Sequence, residues 1–129
     1  MALPGMLKKY KKMGEGKLIV WHKPNCAKSL EVMKVLRDEG VKPEIFEYLV
    51  EKPTVAQLKD VLGKLGMRAE ALVRKKEPIF KEKFEGKRMT EEKWIKAMVK
   101  YPILIERPIL IKGDKAIIGR PTERVKEFI

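Results

Sequence analysis

The sequence predicts an α/β fold: a four-stranded mixed sheet flanked by helices, with a helical insert between a βαβ half and a ββα half. Three observations carry this reading. The apolar run Leu18-Ile19-Val20 precedes an amphipathic stretch, Ala27 to Glu39, and a second β-rich run, Glu44 to Leu49, follows it. Strand, helix and strand in so short a span form a βαβ unit with parallel strands. Near the C-terminus, Ile109 to Lys112 and Ala116 to Ile118 flank Gly113-Asp114, a two-residue hairpin signal.

Taken in order, residues 1–16 read as a basic extension, with Lys8, Lys9, Lys11 and Lys12 against Glu15. Leu7, Tyr10 and Met13 have the spacing of a short amphipathic turn, but a basic tail is the simpler expectation. The domain proper is expected over 17–129. Its first strand is Lys17 to His22. The first helix places Leu30, Met33 and Leu36 toward the core, joined by Val32 and Val35, and stops at Gly40. The second strand, Glu44 to Leu49, lies between Pro43 and Pro53. Thr54-Val55-Ala56-Gln57 fits a capping box, and Val55, Leu58, Val61, Leu62 and Leu65 stripe the helix that follows until Gly66. Short helical turns are expected at Ala69 to Val73 and Pro78 to Phe84. Thr90 caps a helix over Glu91 to Lys100 that turns Trp94, Ile95 and Met98 inward. After the hairpin, Gly119-Arg120-Pro121 turns the chain and Thr122 caps a last helix ending at Phe128.

Composition narrows the function classes. The chain has 129 residues, 44% of them hydrophobic, enough for a globular core in one domain. No apolar run approaches a membrane span, and the N-terminus has no apolar segment of the kind a secretory signal needs. A single cysteine makes no internal disulfide, which fits a reducing compartment and a cytoplasmic location. The net charge of +12 suits anionic partners, although most lysines fall on polar helix faces, where solvation alone explains them. One Asn and one Gln beside abundant Lys and Glu resemble the bias of proteins from hot environments.

The chemistry concentrates at Trp21-His22-Lys23-Pro24-Asn25-Cys26-Ala27-Lys28-Ser29, which holds the only cysteine and the only histidine. Cys26 stands where a strand ends and a helix begins. Unpaired N–H groups and the positive end of the helix dipole favour a thiolate there. A lone cysteine is more often a small buried hydrophobe, but its polar neighbours argue for reactivity. One histidine and one cysteine do not make a usual zinc set, so no metal is expected. The order β-α-β, helical insert, β-β-α is thioredoxin-like. That architecture puts a redox cysteine at the start of the first helix and a cis proline before the third strand, facing it. Pro108 is placed to be that proline.

Beyond fold, the sequence resembles the glutaredoxin-coupled arsenate reductase family, a thioredoxin-like branch that also contains the Spx-like transcription regulators. The likeness runs from about Lys17 to Ile129. It is carried by WHKPNCAKS, by EYL-x-x-x-P-T at Glu47 to Thr54, by ALVRK at Ala71 to Lys75, by YPILIERPIL at Tyr101 to Leu110, and by GRPTE at Gly119 to Glu123. The resemblance implies a nucleophilic Cys26 and three arginines that hold an oxyanion: Arg74, Arg107 and Arg120. It implies thiolate support from His22 and from Ser29, whose hydroxyl would bond the sulfur. It implies glutathione as co-substrate, glutaredoxin as partner, and no bound cofactor.

Residue chemistry agrees with that assignment. A planar guanidinium donates paired hydrogen bonds to a tetrahedral oxyanion and keeps its charge at every physiological pH. The bland alternative for each arginine is a surface or ion-paired role, and it weighs most at Arg74, with Lys75, Lys76 and Glu77 beside it. Ser29 occupies the place where a second cysteine would complete a CxxC pair, so resolution must come from an external thiol. Two other readings stand beside the reductase: an Spx-like regulator that binds RNA polymerase, and a thioredoxin-like protein acting on glutathione mixed disulfides. Neither a membrane nor a nucleic-acid partner is expected.

Overall fold

A computed structural model describes residues 18–129; the basic extension expected over residues 1–16 lies outside the described residues. The elements, in chain order, are β1 (Leu18–Trp21), α1 (Ala27–Asp38), β2 (Glu44–Phe46), α2 (Tyr48–Glu51), α3 (Val55–Leu65), a 3-10 turn (Ala69–Leu72), α4 (Pro78–Lys83), α5 (Glu91–Lys100), a second 3-10 turn (Pro102–Leu104), β3 (Ile109–Lys112), β4 (Lys115–Ile118) and α6 (Glu123–Phe128). They divide into two compact units. One takes the chain up to Glu47 together with Arg107–Ile129; the other is Tyr48–Glu106.

The first unit holds the expected mixed sheet, in the order β2-β1-β3-β4. β1 and β2 run parallel, and β1–β3 and β3–β4 run antiparallel, with Val20 opposite Ile45 on one side and Leu110 on the other. β1 is an interior strand and all four of its residues are buried, which explains an uninterrupted apolar run where alternation would mark a half-exposed strand. Leu18 and Val20 pack with Val32 and Leu36 of α1, Leu110 of β3 and Val125 of α6. The Gly113-Asp114 hairpin forms as expected, with Gly113 at φ 64.

The structure departs from the sequence reading at three places. β2 ends at Phe46 rather than Leu49, and Tyr48–Glu51 coil into α2. The ladder gives the reason: Trp21↔Phe46 is the last pair, His22 N–H then donates to Phe46 O at 3.0 Å, and β1 offers no further edge. Leu30 does not face the core. It is 52% exposed, and the buried stripe of α1 is Ser29, Val32 and Leu36, at i, i+3 and i+7. Thr122 adopts helical dihedrals and makes no side-chain cap; its hydroxyl donates instead to the Glu31 carboxylate at 3.1 Å.

In the second unit the Thr54/Gln57 capping box is complete. Gln57 N–H donates to Thr54 Oγ1 at 3.1 Å, and Thr54 N–H donates to Gln57 Oε1 at 2.8 Å. α3 closes on Gly66 at φ 69, the left-handed stop expected there. The Thr90 hydroxyl accepts the Lys93 N–H, and α5 buries Trp94, Ile95, Ala97 and Met98. Leu72 to Arg74 is laced to Leu104 to Glu106: Arg74 N–H donates to Leu104 O at 2.7 Å and Glu106 N–H to Leu72 O at 2.9 Å. Among the described residues, no helix is long and apolar enough to cross a membrane.

Candidate active site

The site in the first unit is built from the turn between β1 and α1 and from the two turns that flank the β3–β4 hairpin. Lys23-Pro24-Asn25-Cys26 is a tight turn with Cys26 N–H donating to Lys23 O at 3.0 Å, and Pro24 presets the second position. Ser29 Oγ, fully buried, accepts the Lys23 N–H at 3.4 Å and ties the start of the turn to the helix. Cys26 is therefore the N-cap residue of α1, at φ −98 and ψ 124, and is 8% exposed.

Burial alone would push the Cys26 thiol up. The backbone N–H of Ser29, the Arg107 guanidinium, the backbone N–H of Lys28 and the Arg107 charge outweigh it and bring the thiol down to about 7 from an ordinary 9.0. The cysteine is thus substantially thiolate at neutral pH. The helix terminus and one buried arginine both contribute, and neither is a covalent partner.

Arg107 is 8% exposed. The Arg107–Pro108 peptide is cis, as the fold reading anticipated, and so is Arg120–Pro121, which no sequence signal marked. The two turns are joined. Arg120 Nε donates to Arg107 O at 2.7 Å, and Gly119 N–H donates to Pro108 O at 2.9 Å. Gly119 is a close-approach glycine: a Cβ there would lie 3.0 Å from Val32 Cγ2, 3.1 Å from Leu110 Cδ1 and 3.2 Å from Pro108 Cγ. The Gly-Arg-Pro run therefore packs the end of β4 against α1 and the proline turn, and it fixes the backbone that carries both arginines. Sequence reasoning missed this role for Gly119, and also the Lys28 N–H that acts on the sulfur.

The other expected residues take different positions. Ser29 acts on the sulfur through its backbone N–H, while its hydroxyl holds Lys23. His22 is not among the groups that act on the thiol. Its ring helps line a pocket of about 620 Å3 with Leu30, Met33 and Arg37, and its Nδ1 is buried without a hydrogen-bond partner. Burial lowers its pKa against the opposing pull of Glu47, so it is neutral at pH 7. Arg74 belongs to the second unit, where Nε donates to Glu77 at 3.0 Å and Nη1 to Glu106 at 2.7 Å. Burial disfavours its charge, but the two carboxylates more than offset that and raise its pKa. The ion pairs foreseen as the bland role of Arg74 are present.

A sequence profile of the ArsC family matches residues 21–128, which include all of these positions. The chain is similar to YfgD of Escherichia coli K12, an uncharacterized protein, at 43% identity over 112 residues, covering 85% of this chain and 94% of that one. It is 36% identical over 114 residues to an arsenate reductase of Haemophilus influenzae, covering 87% and 98%. Among solved structures it resembles the arsenate reductase from Vibrio cholerae with a TM-score of 0.84 at 34% identity, covering 89% of this chain and 99% of the other. The fold is thioredoxin-like, with the cysteine at the head of its first helix.

Proposed function

The chain belongs to the ArsC family, and from that footing we propose that it is a thiol-dependent oxyanion reductase that converts arsenate to arsenite. The observation that carries the reading is the Cys26 thiol held at about 7 beside the buried Arg107. A thiolate at neutral pH is the nucleophile the reaction needs, and a guanidinium next to it attracts a multiply charged anion.

The Cys26 thiolate attacks arsenic, an As–S bond forms, and one arsenate oxygen leaves as water after taking up protons. Arg107 and Arg120 hold the remaining oxygens and stabilise the charge of the expanded arsenic centre. A thiol of the glutathione class then attacks the Cys26 sulfur. The S–S bond forms as the As–S bond breaks, its electron pair reduces As(V) to As(III), and arsenite departs. Cys26 is left as a mixed disulfide with glutathione. With Ser29 in place of a second cysteine, a further external thiol, of the glutaredoxin class, restores it. Such a cycle belongs in a reducing compartment, the cytoplasm. No cofactor is bound at any step.

The test is turnover of purified protein with arsenate, glutathione, glutaredoxin and a coupled NADPH readout. Arsenate-dependent oxidation that disappears in Cys26→Ser is expected. Rates equal to that variant would overturn the proposal.

A further inference from the structure

One charged surface has no part in the arsenate reading. In the second unit, Lys83, Lys87, Lys93, Lys96 and Lys100 surround an open pocket of about 400 Å3 whose lining contains no carboxylate. The sequence disperses these lysines, but the helix gathers them: Lys93, Lys96 and Lys100 stand at i, i+3 and i+7 on the solvent face of α5, while Trp94, Ile95 and Met98 are buried. Some lysines elsewhere pair with carboxylates: Lys28 with Glu31, Lys34 with Asp38, Lys59 with Glu92, Lys64 with Asp60 and Lys75 with Glu70. None of the five around the pocket forms an ion pair among the described residues. All five are exposed.

The pocket is not merely basic. Phe84 and Tyr101, both half-buried, line it and meet edge to face with centroids 6.0 Å apart. Phe84 packs against Trp94, with ring centroids 6.2 Å apart, and Lys100 Nζ stands 5.6 Å from the centre of the Tyr101 ring. Lysines around an aromatic floor match a ligand that carries phosphate next to a planar ring. The charges neutralise phosphates, and the rings offer a stacking surface that any base can use. An acidic polypeptide would use the lysines but leave the aromatic floor without a counterpart.

We propose that this pocket binds a nucleotide unit, either free or within a single strand, with phosphates on the lysine rim and the base against Tyr101 and Phe84. The site is separate from the Cys26 chemistry, and the proposal does not depend on the reductase reading.

The experiment is fluorescence anisotropy of a labelled short oligothymidylate with the full chain at low salt, competed by thymidine nucleotide or by poly-glutamate. Binding should weaken at least tenfold in the combined Lys93→Gln, Lys96→Gln, Lys100→Gln variant and about fivefold or more in Tyr101→Leu, with thermal melting used to check that each variant is folded. With three to five phosphates contacted, log affinity should fall with log salt at a slope of about −2 to −3.5. Competition by the free nucleotide would assign the site to nucleotides, and competition by the strand alone to single-stranded nucleic acid. Absence of binding, wild-type affinity in the lysine variant, indifference to Tyr101→Leu, or competition by poly-glutamate equal to that of the oligonucleotide would each overturn the proposal.

Discussion

At the scale of the residue, the neighbours of Cys26 set the pKa of its thiol. Burial raises the thiol; Ser29 N–H, Lys28 N–H and Arg107 lower it further than burial raises it. Arg107 acts both as hydrogen-bond donor and as charge, so Arg107→Ala removes two of the thiolate's supports at once. The thiol should then titrate above 7, toward its ordinary value, and alkylation by iodoacetamide at pH 7 should slow several-fold. Because the chain has one cysteine, the pH profile of alkylation reports on it alone; a profile unmoved by the substitution would mean that the helix terminus suffices. The cysteine's place at a strand-to-helix junction is legible in the sequence, since the apolar run before it and the amphipathic run after it are local patterns. The division of labour around it is less legible. Whether Ser29 works through hydroxyl or N–H, and whether His22 points at the sulfur, depends on which way the turn folds, and spacing does not encode that.

At the scale of the element, the two Arg-Pro turns form one assembly through Arg120 Nε to Arg107 O and Gly119 N–H to Pro108 O. Gly119 permits the approach. Gly119→Ala would force Val32, Leu110 and Pro108 to give way by a few tenths of an ångström, and overpacking of this kind costs about 1–3 kcal/mol. Urea unfolding should show that loss, and alkylation of Cys26 should slow as well because Arg107 is carried by the displaced turn; unchanged stability would mean the neighbours yield freely. Helix existence is largely legible in the sequence where caps are strong, as at Thr54/Gln57 and Gly66. It fails at Glu47 to Glu51. That segment is β-rich by composition, yet it coils because β1 provides no edge beyond Trp21. Likewise the α1 stripe is set by Ser29, a small residue that apolar counting passes over, so Leu30 is wrongly assigned to the core.

At the scale of the whole molecule, the chain divides into a sheet unit that carries Cys26, Arg107 and Arg120, and a helical unit that carries Arg74 and the lysine-lined pocket. All groups that lower the Cys26 thiol belong to the first unit. Arg74→Ala should therefore leave the pH profile of Cys26 alkylation unmoved, since its guanidinium pairs with Glu77 and Glu106 within the second unit; a shifted profile would contradict this. In the proposed cycle Cys26 alone attacks arsenate and passes to an external thiol. The most direct measurement is the intact mass of reduced protein after a single exposure to arsenate and reduced glutathione, without glutaredoxin. A glutathione adduct on Cys26 that forms only when arsenate is present is the expected result. An unmodified protein, or an adduct that forms equally without arsenate, would contradict it.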